Sequence, residues 1–95
     1  MGLFKSREEK NGNAFVNDYF FHWGQMVKTW RSMKAEPDQW LLSMVHTAAC
    51  THAFRQATLR GDTGMRRQET ANNLWAMARQ KYSEYSFGEA PTLLK

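Results

Sequence analysis

Cysteine and histidine side chains that could do chemistry lie close together in the middle of the chain. Cys50 stands between His46 and His52. On a helix, His46 and Cys50 are four residues apart and share a face, so they could ligate one metal ion. His52 would lie about 200° around the helix from Cys50 and could not join them without a partner chain. His22 and Asp18 could complete a four-ligand zinc set, but no spacing in the chain requires this, and we predict no metal.

Cys50 is also a poor candidate for a nucleophile. A reactive thiolate needs a helix N-terminus or a cationic neighbour that lowers its pKa, whereas Cys50 is predicted in mid-helix among alanines. We expect it to pack as a small apolar residue against the preceding helix, with the two histidines at the rim of that contact. The predicted small-residue face consists of Ala48, Ala49, Cys50, Ala53 and Ala57, and the bulky side chains opposite are Phe20, Trp23 and Trp30.

Other catalytic patterns are missing from the sequence. It contains no paired-carboxylate motif, no glycine-rich phosphate loop and no spacing typical of a catalytic triad. We therefore predict that the chain is not an enzyme and that it needs no cofactor.

Four arginines surround one predicted turn and indicate a different chemistry, the binding of phosphates. Segment 55–67 carries four positive charges and one negative charge, a net charge of +3 in a chain of net charge +4. A helix, a short glycine-containing turn and a second helix that opens with arginines together have the outline of a helix-turn-helix. The residues of this alternative nucleic-acid site are Arg55, Arg60, Arg66, Arg67 and Asn73.

Aromatic and methionine side chains are more numerous than three amphipathic helices of this length can bury. The chain has four Trp, three Tyr, six Phe and six Met. In the first predicted helix, Phe21 lies about 200° from Tyr19 and must point away from the face that Tyr19 buries. Surplus Trp, Tyr, Met and Arg side chains are typical of protein interfaces. We therefore predict a self-associating interface centred on the first helix and its junction with the second, with the interface residues Phe21, Trp30, Trp40 and Trp75.

The composition predicts an all-α fold. The chain has no isoleucine and three valines against ten alanines, so it lacks the β-branched residues that are typical of sheets. Apolar residues recur instead at helical spacing in three blocks. Asn13 is the predicted N-cap of the first helix, Pro37 falls in the first turn of the second, and Gly61 ends it. The predicted helices span 13–34, 38–60 and 65–86.

Three helices joined by short turns are expected to pack as antiparallel neighbours. We predict an antiparallel three-helix bundle or a helical hairpin plus a third helix. The alternative is an open array that a second copy of the chain completes. Residues 13–87 are expected to form a single helical domain, with a flexible N-terminal segment at 1–12 and a C-terminal tail at 88–95.

Composition also limits the function. One cysteine cannot form an internal disulfide, no apolar run is long enough to cross a membrane, and the N-terminus lacks a secretory signal, so we predict a cytoplasmic protein with no membrane partner. We predict a small homodimeric interaction protein that binds and modulates another protein, as compact helical products of phages and mobile elements do. The alternative is a small basic nucleic-acid-binding protein that uses the arginine cluster.

Overall fold

The computed structural model describes residues 7–62, 64 and 66–93, with side chains from residue 12 onward. Within these residues the chain forms three α-helices and no strand: α1 is Arg7–Met33, α2 is Gln39–Leu59 and α3 is Arg67–Lys81. The predicted all-α class with three helices is confirmed. None of the three helices combines the length and the apolar composition that crossing a bilayer requires.

The two long helices, α1 and α2, form an antiparallel hairpin that holds most of the core. The Phe15 ring, in the first half of α1, lies 5.1 Å from the Phe54 ring, in the second half of α2. Nearer the connection between the helices, the centroids of Tyr19 and His46 are 5.7 Å apart. The third helix packs against this hairpin through Trp75, whose ring lies 4.8 Å from that of His46.

The small-residue face of α2 lies in the core as predicted, with one exception. Ala49, Cys50, Ala53 and Ala57 are buried, whereas Ala48 is exposed. Ala48 lies about 200° around the helix from Cys50, so it points away from the face that Cys50 buries. Of the bulky side chains predicted to pack against this face, Trp23 and Trp30 are buried and Phe20 is partly buried.

The first helix begins earlier than the sequence analysis predicts. It starts at Arg7, so the predicted N-cap Asn13 lies inside the helix. Residues 7–12 therefore continue α1, and residues 1–6 of the predicted flexible segment lie outside the described part of the chain.

The N-termini of α2 and α3 are capped differently. Asp38 is the N-cap of α2 and accepts a hydrogen bond from the Leu41 N–H at 2.8 Å. Pro37 therefore precedes the cap instead of lying in the first turn. α3 begins at Arg67, and its N-cap Arg66 makes no side-chain hydrogen bond to the helix. The predicted start of this helix at 65 lies outside the described residues.

α1 and α2 each end in a turn, and the two turns have the same hydrogen-bond pattern. A residue just past each helix adopts a left-handed conformation: Lys34, directly after α1, has φ 55°, and Gly61, two residues after the end of α2, has φ 83°. The N–H groups of Ala35 and Asp62 then donate to the carbonyls five residues earlier, each at 2.9 Å. This pattern satisfies carbonyls that the helix leaves free. Gly61 ends α2 as predicted. Lys34 adopts the same left-handed conformation after α1, although a glycine would adopt it at a lower energetic cost.

The third helix is shorter than predicted. It ends at Lys81, and turns follow at 82–84, whereas the apolar spacing predicted a helix to 86. The turns let Phe87 reach the core, where its ring lies 5.7 Å from Trp23 and 5.1 Å from Trp75. Tertiary packing of this ring overrides the local helical pattern.

The C-terminal segment runs back along α3 and covers part of the core. The indole N–H of Trp75 donates to the Gly88 carbonyl at 3.0 Å. The side-chain oxygen of Gln68 accepts from the Leu93 N–H at 2.9 Å. Where the sequence analysis placed a separate tail at 88–95, residues 88–93 therefore pack on the helices, and the last two residues lie outside the described part of the chain.

Candidate functional site

The cysteine and histidine cluster lies in the core and is closed to solvent. His46 is fully buried, and its Nδ1 lies 2.7 Å from the Tyr19 hydroxyl. The Cys50 sulfur is 3.8 Å from Nδ1 and 3.7 Å from Nε2 of the same ring, so it bonds neither nitrogen preferentially. The expectation that His46 lies at the rim of the helix contact is wrong, because His46 lies inside the core, where the Tyr19 hydroxyl gives its Nδ1 a hydrogen-bond partner.

Burial keeps all three of these groups uncharged at neutral pH. It lowers the pKa of His46 to about 4, raises the pKa of Cys50 to about 12, and raises the pKa of Tyr19. A thiol with so high a pKa supplies almost no thiolate, and an imidazole with so low a pKa is a weak base. The cluster is therefore suited to packing and to fixing the register of α1 against α2.

The other histidines lie at the edge of the hairpin. His52 stacks on His22, with ring centroids 6.2 Å apart, and the pKa of His22 is lowered by its partial burial and by the charge of His52. Among the described residues, no group of three or more His, Cys, Asp or Glu side chains is placed to hold a metal ion. That the chain carries no metal and no cofactor stays a prediction.

The predicted arginine cluster is divided by the fold. Arg60 donates to Asp18 at 3.0 Å, and Arg66 lies 3.5 Å from Glu69, so carboxylates of this chain partly neutralise both. Within the described residues, Arg55 and Arg67 have no carboxylate partner. Asn73 is exposed on α3. Within this arginine cluster, the positive charge that is free to meet an outside partner is thus concentrated on Arg55 and Arg67.

The four predicted interface aromatics fall into two pairs. Phe21 is 65% exposed and Trp40 is 68% exposed, whereas Trp30 and Trp75 are buried. Trp30 packs edge-on against Tyr85 at 5.7 Å, and the Trp75 indole bonds to the returning C-terminal segment. Neither indole is available to a partner, because both are buried beneath residues that follow α3.

The two exposed rings lie in different surroundings. Polar Asn17 and Gln25 lie one turn to either side of Phe21, which makes it an isolated exposed ring of an ordinary kind. Trp40 has exposed Met44 one turn further along α2, and exposed Met33 ends α1 at the same end of the hairpin. Phe21 lies about 18 Å along α1 from Met33, so it does not join this patch.

The outward face of α2 is a surface that the sequence analysis missed. Exposed residues follow it from Trp40 through Met44, Thr47 and Ala48 to Thr51, and none of them is charged. The whole stretch 39–54 contains no Asp, Glu, Lys or Arg. That stretch of uncharged residues was the available signal, because a solvent-facing helix normally carries charged side chains on its outer side. We call these five residues the uncharged face.

A groove of about 940 Å³ continues from the uncharged face. One wall is the second half of α2, the other is the start of α3, and the returning C-terminal segment closes one side. Phe54, Arg55, Arg67 and Leu93 are among its lining residues. A second, shallower groove of about 450 Å³ lies between α1 and α3 around Phe20.

Comparison of the chain with protein-family models, with curated proteins and with solved structures finds no match. The most unusual surface features of the chain are the uncharged face of α2 and the groove that adjoins it.

Proposed function

We propose that this chain is a non-enzymatic, cytoplasmic interaction protein that binds and modulates another protein and forms a homodimer. The observation that supports this proposal best is the uncharged face of α2. The five exposed residues of this face follow one side of the helix and offer a partner apolar and small side chains. No charge has to be desolvated when they are buried. The buried cysteine and histidine cluster offers a substrate no accessible group, in keeping with a binding role.

Self-association is assigned to the Trp40 end of this face. Trp40, Met44 and Met33 are each about half exposed or more, and they lie at one end of the hairpin. Fully burying one such side chain contributes roughly 1.5–3 kcal/mol, so three per chain can offset the cost of association in a symmetric dimer. Trp40 retains the interface role predicted from the sequence, and Trp30 and Trp75 are replaced by the two methionines.

Light scattering coupled to size exclusion at micromolar concentration tests the dimer. We expect a mass of twice 11.1 kDa for the wild type and of 11.1 kDa for a variant carrying Trp40→Glu and Met44→Glu. Met77→Glu is the matched control, because Met77 is also an exposed methionine but lies on α3. A monomeric wild type, or a dimer that the double variant leaves intact, would falsify the assignment.

Affinity capture from the native host tests binding to another protein. The wild type is compared with Ala48→Arg, which places a charge in the middle of the uncharged face, and with Ala76→Arg, which makes the same change on an exposed position of α3. We expect proteins captured by the wild type and by Ala76→Arg to be lost with Ala48→Arg. If all three baits retain the same proteins, the uncharged face is not the binding surface.

The alternative function, nucleic-acid binding through the arginine cluster, is tested by salt dependence. Two of its four arginines are paired with Asp18 and Glu69, which leaves fewer charges for phosphates. For an interaction protein we expect no mobility shift of duplex or single-stranded DNA or RNA at about 50 mM salt, where phosphate contacts are strongest. A shift that weakens with salt and is reduced by Arg66→Ala with Arg67→Ala would favour the alternative instead.

A further inference from the structure

The groove between α2, α3 and the C-terminal segment has mainly apolar walls, although threonines line much of it. The hydroxyls of Thr47, Thr51 and Thr58 each donate to the backbone carbonyl four residues earlier, at 2.9–3.0 Å. Because these hydroxyls are occupied by the helix, the free surface of each side chain is mainly its methyl group. Phe54 and Leu93 supply the larger apolar surfaces of the groove.

The charged side chains among the described lining residues of this groove are both arginines. Arg55 and Arg67 are both exposed lining residues, and among the described lining residues there is no carboxylate. The Arg67 guanidinium lies 5.0 Å from the centroid of the Phe54 ring, which holds it over the apolar wall. Its neighbour Arg66 turns to Glu69 and does not line the groove. A ligand that fits must therefore bring apolar groups with negative charge beside them.

The groove is long enough for a helix and has a fixed wall. Thr47 and Thr58 are separated by about 16 Å along α2, which corresponds to three helical turns. The Gln68 side chain bonds the C-terminal segment twice, accepting from the Leu93 N–H at 2.9 Å and donating to the Pro91 carbonyl at 3.4 Å. The third side of the groove is therefore held in place by the chain itself, and little ordering is left for the moment of binding.

We propose that this groove binds an amphipathic helix of another protein, with acidic residues flanking its apolar face. This inference rests on the proposed interaction function and names the chemistry of the partner. Apolar side chains of the bound helix contact Phe54, Leu93 and the threonine methyls, and its carboxylates pair with Arg55 and Arg67. The bound helix lies beside α2 and α3 and completes a four-helix arrangement.

Fluorescence anisotropy with two labelled synthetic peptides tests this proposal. Both are helices of about 14 residues with leucines at the spacing of one helical face, and the remaining positions are glutamate in one peptide and lysine in the other. We expect the full-length protein to bind the acidic peptide and not the basic one. The matched variants are Arg67→Gln, expected to raise the Kd about fivefold, and Arg66→Gln, expected to leave it unchanged.

Charge reversal and groove filling supply the decisive outcomes. Arg55→Glu together with Arg67→Glu is expected to invert the preference, so that the variant binds the basic peptide. Thr51→Trp is expected to abolish binding of both peptides, because the indole occupies the groove, and circular dichroism confirms that each variant is folded. The proposal is overturned if neither peptide binds the wild type, if both bind equally, or if the Arg66 and Arg67 variants behave alike. Host proteins lost only with Ala48→Arg would still support the proposed function, since Ala48 does not line the groove.

Discussion

The Tyr19 hydroxyl and His46 Nδ1, which belong to different helices, are 2.7 Å apart in the middle of the core. The two residues are separated by 27 positions in the chain, so this hydrogen bond forms only when α1 and α2 meet in one register. Because both groups are neutral at pH 7, the bond gives Nδ1 of a buried imidazole a partner without burying a charge. The pair thus favours this register over alternatives that would leave His46 unbonded.

Acid is expected to destabilise the fold through His46. Its pKa is about 4 in the folded chain and 6.5 when unfolded, so the unfolded chain takes up the proton first and stability is lost as pH falls from about 6.5 towards 4. The loss is about 2 kcal/mol at pH 5, before most carboxylates titrate. Urea unfolding at pH 7.5, 6 and 5 measures it.

The control for this pH dependence is the pair of variants His46→Asn and His22→Gln. The first removes the buried imidazole and keeps an acceptor near Tyr19, so its stability, although lower, should change much less between pH 7.5 and 5. The second removes only a partly exposed histidine whose pKa is lowered in the same direction, so most of the pH dependence should remain. Identical pH profiles for the wild type and His46→Asn would contradict the assignment.

Substitutions of the left-handed residues after α1 and α2 are expected to change the free energy of unfolding in opposite directions. Lys34 has φ 55° and Gly61 has φ 83° in equivalent turns. A side chain in this conformation costs roughly 1 kcal/mol, so Lys34→Gly is expected to raise the free energy of unfolding by about that amount and Gly61→Ala to lower it. Thermal and urea unfolding of both variants check the signs. A destabilised Lys34→Gly protein would show that Lys34 makes contacts worth more than the strain.

Local signals predicted the order of the helices well, whereas contacts between distant residues account for the errors about His46, Trp30 and Trp75. The alanine and methionine content, the proline before α2 and Gly61 are all local, and they led to the observed order of three helices. The burial of His46 depends on a tyrosine from another helix, and no periodicity reveals that partner. Trp30 and Trp75 are covered by Tyr85, Phe87 and Gly88, and the sequence does not reveal that the chain turns back over the core after Lys81.

The candidate binding surface was only partly predictable for the same reason. Trp40 was identified from the surplus of aromatic residues, and the uncharged stretch 39–54 was visible in the sequence. The groove could not be predicted from the sequence, because Phe54, Arg67 and Leu93 come from three separate segments. The hydrogen-bonded ion pair between Arg60 and Asp18 could not be predicted either, because the two residues are 42 positions apart in the chain.

Cys50 is expected to be unreactive until the protein unfolds. Its side chain is 1% exposed and its pKa is raised to about 12, so a thiol reagent such as Ellman's reagent should modify native protein only as fast as the core opens. In urea above the midpoint, one thiol per chain should react at once. Cys50→Ala should fold and work nearly as the wild type does, and elemental analysis of the purified wild-type protein should find no stoichiometric zinc. About one metal ion per wild-type chain, lost in this variant, would contradict the assignment of Cys50 to packing.

The returning C-terminal segment is expected to hold the core through Phe87. Its ring lies 5.7 Å from Trp23 and 5.1 Å from Trp75, so Phe87→Ala removes the cover of two indoles at once. We expect a loss of about 2–4 kcal/mol in the free energy of unfolding by urea, together with a red shift of native tryptophan emission as water reaches these rings. Phe21→Ala is the matched control, since Phe21 is 65% exposed and its truncation should cost less than about 0.5 kcal/mol. If both variants lose similar stability, or if tryptophan emission is unchanged in Phe87→Ala, the segment is not part of the folded core and the groove that it closes loses one of its sides.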